Sequence, residues 1–137
     1  MKTNFELREL IYIYHNGRYI DLHNDFNFAG YDLDAAKDLL ILKFTRHEGE
    51  WIAKDEYSTI ILKHQNLSYK DMVLDNSGND DAMTISEMTF FPANERDVND
   101  KFLEQELPDE NDDILYTFEN GNYIRIGCGT ILFEAIE

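Results

Sequence analysis

The chain holds one cysteine, Cys128, so no disulfide can form within it and a reducing compartment is expected. Its first residues, Met1-Lys2-Thr3-Asn4-Phe5-Glu6-Leu7-Arg8-Glu9, place charges where a signal peptide needs an unbroken apolar core. No apolar run approaches the ~20 residues that span a bilayer. A cytoplasmic location is therefore the expectation. There are only two prolines and seven glycines, with no low-complexity tract, linker or internal repeat, so residues 1–137 read as a single domain. Also missing are a glycine-rich phosphate loop, a Gly-x-Ser-x-Gly elbow and a glycine fingerprint between strand and helix. No cofactor is expected.

Basic side chains are scarce: 12 stand against 28 acidic ones, for a formal net charge of −16. Such a field repels phosphate backbones and anionic lipid headgroups, which argues against nucleic-acid binding and membrane attachment. It favours a cationic protein partner. The excess is also uneven. Residues 71–113 contain 14 acids and two bases, Arg96 and Lys101, so about three quarters of the net charge falls in under a third of the chain. Gathering like charge costs stability through self-repulsion and speeds encounter with a cationic surface. The plainer explanation is that the acids keep the protein in solution.

What the sequence has in quantity is strand-forming apolar residues, at 43% hydrophobic and 13% aromatic. The runs Leu39-Leu40-Ile41-Leu42-Lys43-Phe44 and Tyr57-Ser58-Thr59-Ile60-Ile61-Leu62-Lys63 are short and apolar on both alternating faces, which suits interior strands. Asn16-Gly17, between Phe5–Tyr14 and Arg18–His23, supplies the positive φ angles of a tight hairpin turn. A second hairpin is expected from Ile114–Phe118 through Glu119-Asn120-Gly121-Asn122 to Tyr123–Ile126, followed by a last strand over Thr130–Ile136. Further strands are expected over Ala82–Phe91 and near Asn66–Leu74. Residues 24–38 show no decisive periodicity and read as irregular.

One helix is expected over 95–107. Asn94 would cap it, Asp97 would stand in for the acidic partner of a capping box, and Pro108 would end it. Val98, Phe102, Leu103 and Leu107 would form its packed side, with Asp97, Asp100 and Glu104 making an anionic ridge opposite. Asp109-Glu110-Asn111-Asp112-Asp113 would be a solvated loop. The fold class is thus mainly β (α+β): an antiparallel sandwich or strongly curled sheet of roughly seven to nine strands with one short helix.

Few residues suggest chemistry. The four histidines, His15, His23, His47 and His64, lack the spacing of a helical or strand metal pair. His23 with Asp21 and Asp25 is the one local cluster that could hold a metal, and a polar strand end explains it equally well. Cys128 between two glycines reads as a buried side chain rather than a nucleophile. The Asp75–Asp81 stretch lacks the glycine and glutamate of an EF-hand loop, leaving only an adventitious cation site. Trp51, alone in the polar loop 45–56, is expected to fold back over the core, with a binding anchor as the alternative.

The central runs with the intervening Trp51, together with the acidic segment from Asp97 to Asp113, resemble the small acidic immunity proteins that bacteria encode beside polymorphic or contact-dependent toxins. The resemblance implies a non-catalytic domain that binds and occludes a cognate toxin, often a basic nuclease. The implied partner-binding residues are Asp97, Asp100, Glu104, Asp109, Glu110, Asp112 and Asp113, with Trp51 as anchor. The alternative is a small-ligand-binding β domain with an aromatic pocket of ~300–1,000 Å3. A third class, a metal-dependent hydrolase, would require His23 and two carboxylates to converge in a cleft. The oligomeric state is left open.

Overall fold

The computed structural model describes residues 1–74 and 83–137. It is mainly β. In chain order the strands are β1 (Lys2–Thr3), β2 (Glu6–Arg8), β3 (Tyr12–His15), β4 (Arg18–Asp21), β5 (Phe26–Asp34) and β6 (Leu39–Arg46). They continue with β7 (Thr59–Gln65), β8 (Tyr69–Val73), β9 (Ile85–Pro92), β10 (Asp112–Phe118), β11 (Tyr123–Gly127) and β12 (Thr130–Ile136). They form a five-stranded sheet in the order β1-β12-β7-β6-β5, a four-stranded sheet β8-β11-β10-β9 and a three-stranded sheet β2-β3-β4. Among the described residues the strands outnumber the seven to nine read from sequence, and three sheets enclose the core where a sandwich or a single curled sheet was expected. Pairing is antiparallel except where β1 runs parallel to β12.

The two central runs become β7, in the middle of the five-stranded sheet, and its neighbour β6. Their faces are less alike than their composition suggests. Leu40, Leu42 and Phe44 are fully buried while Lys43 on the other face is exposed. The hairpin at Asn16-Gly17 forms as expected, with φ of 51° and 77° at the two residues. The hairpin of β10 and β11 also forms, with Gly121 at φ 89°.

Residues 24–38 depart from the irregular reading. Phe26–Asp34 is a strand along β6 whose register shifts between Phe28 and Gly30, and Gly30 takes a φ of 123° that side-chain-bearing residues rarely adopt. That bulge interrupts the alternation that would have marked the strand. The strand ends in a single 3-10 turn over Ala35–Lys37, where Asp34 accepts a hydrogen bond from the Lys37 amide.

The helix over 95–107 does not form. A 3-10 turn covers Ala93–Glu95, and the chain then runs as an irregular strap to β10. The capping signals at Asn94 and Asp97 are local, and tertiary partners override them. Arg125 Nη1 donates to the Val98 carbonyl at 2.7 Å and the Glu95 carbonyl at 3.2 Å, and Nη2 donates to the Pro92 carbonyl at 2.8 Å. Further along, Leu103 N donates to Thr89 Oγ1 at 2.9 Å, and Leu7 N donates to the Glu106 carbonyl at 2.9 Å. Carbonyls and amides that a helix would satisfy internally are thus bonded outward.

The strap explains why β10 is buried at every position. Ile114, Tyr116 and Phe118 face the common core with Leu42, Phe44 and Leu62. On the alternate face, Asp113, Leu115 and Thr117 are buried as well. Asp112 and Asp113 are therefore strand residues, not members of a solvated loop. Arg125, 0% exposed, donates from Nε to Asp113 Oδ2 at 2.9 Å, and Arg96 binds the same carboxylate through Nε and Nη2, each at 2.9 Å. Gly127 lets the pair fit there, since a Cβ on it would lie 2.7 Å from Asp113 Oδ1 and 2.8 Å from Arg96 Nη2.

Candidate functional site

The acidic segment divides in two. Asp113 is neutralised by Arg96 and Arg125, and Asp112 accepts hydrogen bonds from Gln105 Nε2 at 2.7 Å and from the Asp109 amide at 2.8 Å. Both carboxylates hold the strap down and neither is free for a partner. Asp97, Asp100, Glu104, Asp109 and Glu110 are exposed, and none enters an ion pair among the described residues. Because no helix forms, Asp97, Asp100 and Glu104 do not make the helical ridge expected of them. Asp97 and Asp100 sit where Arg125 grips the strap, Glu104 sits where the strap crosses toward β2, and Asp109 and Glu110 border a recess of about 650 Å3 with Pro92 and Asn94.

Trp51 is 67% exposed and does not cover the core. Its indole N–H donates to the Asn24 carbonyl at 3.3 Å, and its ring lies near His47 at a centroid distance of 6.1 Å. It stands with the 24–25 turn rather than with the acidic strap.

His23, Asp21 and Asp25 do not converge on a metal. Asp21 Oδ1 accepts the His23 and Asn24 amides at 3.0 and 2.8 Å, and Oδ2 accepts Asn24 Nδ2 at 2.8 Å, so both oxygens are spent on the turn. His23 Nδ1 lies 2.6 Å from the Ile85 carbonyl. Burial, followed by repulsion from Asp21 and Glu56, pushes the Asp25 carboxyl above its ordinary range. Among the described residues no group of three His, Cys, Asp or Glu side chains could hold a metal ion. The Asp75–Asp81 stretch lies outside the described residues.

His64 is a core residue. Its Nδ1–H donates to the Leu40 carbonyl at 2.9 Å, which leaves Nε2 to accept the Tyr116 hydroxyl at 2.9 Å. Burial holds its pKa down at about 4. Cys128 is buried, and burial pushes its thiol up to about 12, far from a nucleophilic thiolate at neutral pH.

An aromatic-lined pocket would have supported a small ligand. Four surface recesses among the described residues, of about 400, 500, 350 and 650 Å3, have adequate volume, but none of the four combines more than two aromatic side chains. The phenylalanines instead fill the core, where Phe28 packs against Phe44 and Phe118 with centroids 5.6 and 5.3 Å apart.

A surface the sequence reading missed lies on the three-stranded sheet. Leu7, Ile13 and Ile20 point into the core, so Glu6, Arg8, Tyr12, Tyr14 and Tyr19 share the opposite face. Tyr19 packs against Tyr14 at 4.8 Å with the rings tilted by 57° and meets Tyr12 edge-on at 5.6 Å. Arg8 lies 4.6 Å over the Tyr14 ring and is bound by Glu6 at 3.1 Å and Glu106 at 3.5 Å, so its charge is already matched. Asp21 above all, then burial, Glu9 and Asp25, raise the pKa of the Tyr12 phenol, as expected in a negative local potential. The signal was present: a two-residue turn at Asn16-Gly17 fixes Tyr14 opposite Tyr19.

Comparison with protein-family models, with curated proteins and with solved structures finds no match for this chain. Among the described residues no helix is long and apolar enough to cross a membrane.

Proposed function

We propose that this is a non-catalytic protein-binding domain that takes a cationic protein partner on its acidic surface, as an immunity protein takes a basic toxin. The observation that carries this reading is the set of exposed carboxylates on the strap, Asp97, Asp100, Glu104, Asp109 and Glu110, none of which is in an ion pair among the described residues. Unmatched surface charge of one sign adds little to folding and raises the encounter rate with a surface of the opposite sign. Trp51 loses its role as anchor in this reading, because it stands away from the strap. Asp112 and Asp113 likewise become supports rather than contacts.

A genetic test addresses the biological role. In the genome that encodes this chain, the product of the adjacent gene should be a basic protein that arrests growth when expressed alone and is harmless when co-expressed with this one. Growth arrest that persists on co-expression, with both proteins present in soluble form, overturns the immunity reading.

A further inference from the structure

Resting on that reading, we propose that the partner reaches from the strap onto the outer face of β2, β3 and β4, where one of its arginine side chains stacks on Tyr19 between Glu9 and Glu104. A cleft of about 400 Å3 opens beside Tyr19, between the turn after β2 and the strap. Leu10 and Leu103 give it an apolar lining, Glu9 and Glu104 bring two carboxylates to it, and Arg8, which also lines it, is matched by Glu6 and Glu106. Tyr19, 51% exposed, forms one wall. An apolar channel for the methylene stem, a ring for the planar head and carboxylates around it are what a guanidinium requires.

The backbone at this cleft is held in an uncommon shape. Glu9 and Leu10 take φ of 51° and 66°, the left-handed region that side-chain-bearing residues seldom occupy in succession. Met88 N donates to the Leu10 carbonyl at 2.6 Å and fixes the turn against β9. A rigid turn presents Glu9 without an ordering cost on binding.

The chain itself shows that its tyrosines accept guanidinium groups. Arg8 lies over Tyr14, Arg18 over Tyr57 at 4.1 Å and Arg96 over Tyr69 at 3.8 Å. Tyr19 is flanked by aromatic rings and carries no such partner among the described residues. A second copy of this chain is disfavoured as the occupant, since it would bring acidic strap to acidic strap. An arginine-rich protein surface matches the charge.

The test is titration of a fluorescent hexa-arginine peptide into native protein and into Tyr19→Leu, Tyr19→Phe and Tyr31→Leu, with Tyr31 as an equally exposed control on β5 (50%). Tyr19→Leu should bind about fivefold more weakly than native, while Tyr19→Phe and Tyr31→Leu bind as native does. Hexa-lysine should bind more weakly than hexa-arginine, because an ammonium stacks poorly. If Tyr19→Leu binds normally while amide substitutions on the strap weaken binding, the anchor is wrong and the acidic-surface reading stands. If native protein binds neither peptide, both fall.

Discussion

Asp113→Ala is expected to lower the unfolding free energy by about 3–5 kcal/mol, the cost of leaving a buried charge unpaired. Arg125 is 0% exposed and Asp113 1% exposed, so neither water nor a rotamer change can replace the lost carboxylate. Arg96 would be freed as well, since both its bonds to Asp113 would be gone. Loosening is expected to spread to the strap, because Arg125 also holds the carbonyls of Pro92, Glu95 and Val98. Glu134→Gln provides the scale: its pair with Lys63 is partly exposed on both sides and worth about 0–1 kcal/mol. Urea denaturation of the two variants measures the difference. A cost below about 1 kcal/mol for Asp113→Ala would mean that the pair is not buried as described.

His64 gives the second large effect, through pH. Its pKa is lowered from 6.5 to about 4 by burial, so the folded state favours the neutral ring and binds fewer protons than the unfolded chain. The stabilisation is complete above pH 6.5 and declines as the pH falls toward about 4. The loss amounts to about 3 kcal/mol at most. His64→Leu removes this term at the cost of unpaired groups at Leu40 and Tyr116, so it should be less stable at neutral pH and show a flatter acid limb. Should that variant fail to fold, the native ring resonance answers the question: His64 should show no titration above about pH 5, and a midpoint near 6.5 would contradict its burial.

Much of the strand content was legible because it is written locally. Asn16-Gly17 sets its own backbone angles, and the alternating apolar residues of β6, β7 and β12 find the core face whatever lies beyond. The strap was not legible, because its conformation is decided by a residue far along the chain. Asn94, Asp97 and Pro108 are sound helix boundaries, but Arg125 and Thr89 compete for the same backbone groups. One clue did exist: Ile114-Leu115-Tyr116 is apolar on both faces, which calls for cover on both sides of that strand.

The candidate site was legible in charge and not in shape. Composition located the acids between 71 and 113 but gave no means of separating Asp112 and Asp113, which are buried, from Asp97, Asp100 and Glu104, which face solvent. Trp51 is conspicuous in sequence as the lone tryptophan, whereas the three tyrosines of β3 and β4 come together on one face only through the hairpin register. Aromatic rings beside charge are more informative than either alone when they share a rigid face.

The salt dependence of hexa-arginine binding tests the acidic surface most directly. Native protein should lose about tenfold in affinity between 50 and 300 mM salt, while a variant carrying Asp97→Asn, Asp100→Asn, Glu104→Gln, Asp109→Asn and Glu110→Gln should bind about tenfold more weakly at low salt and lose less affinity as salt is added. Equal affinities for the two proteins across that range would contradict the claim that these carboxylates receive the partner.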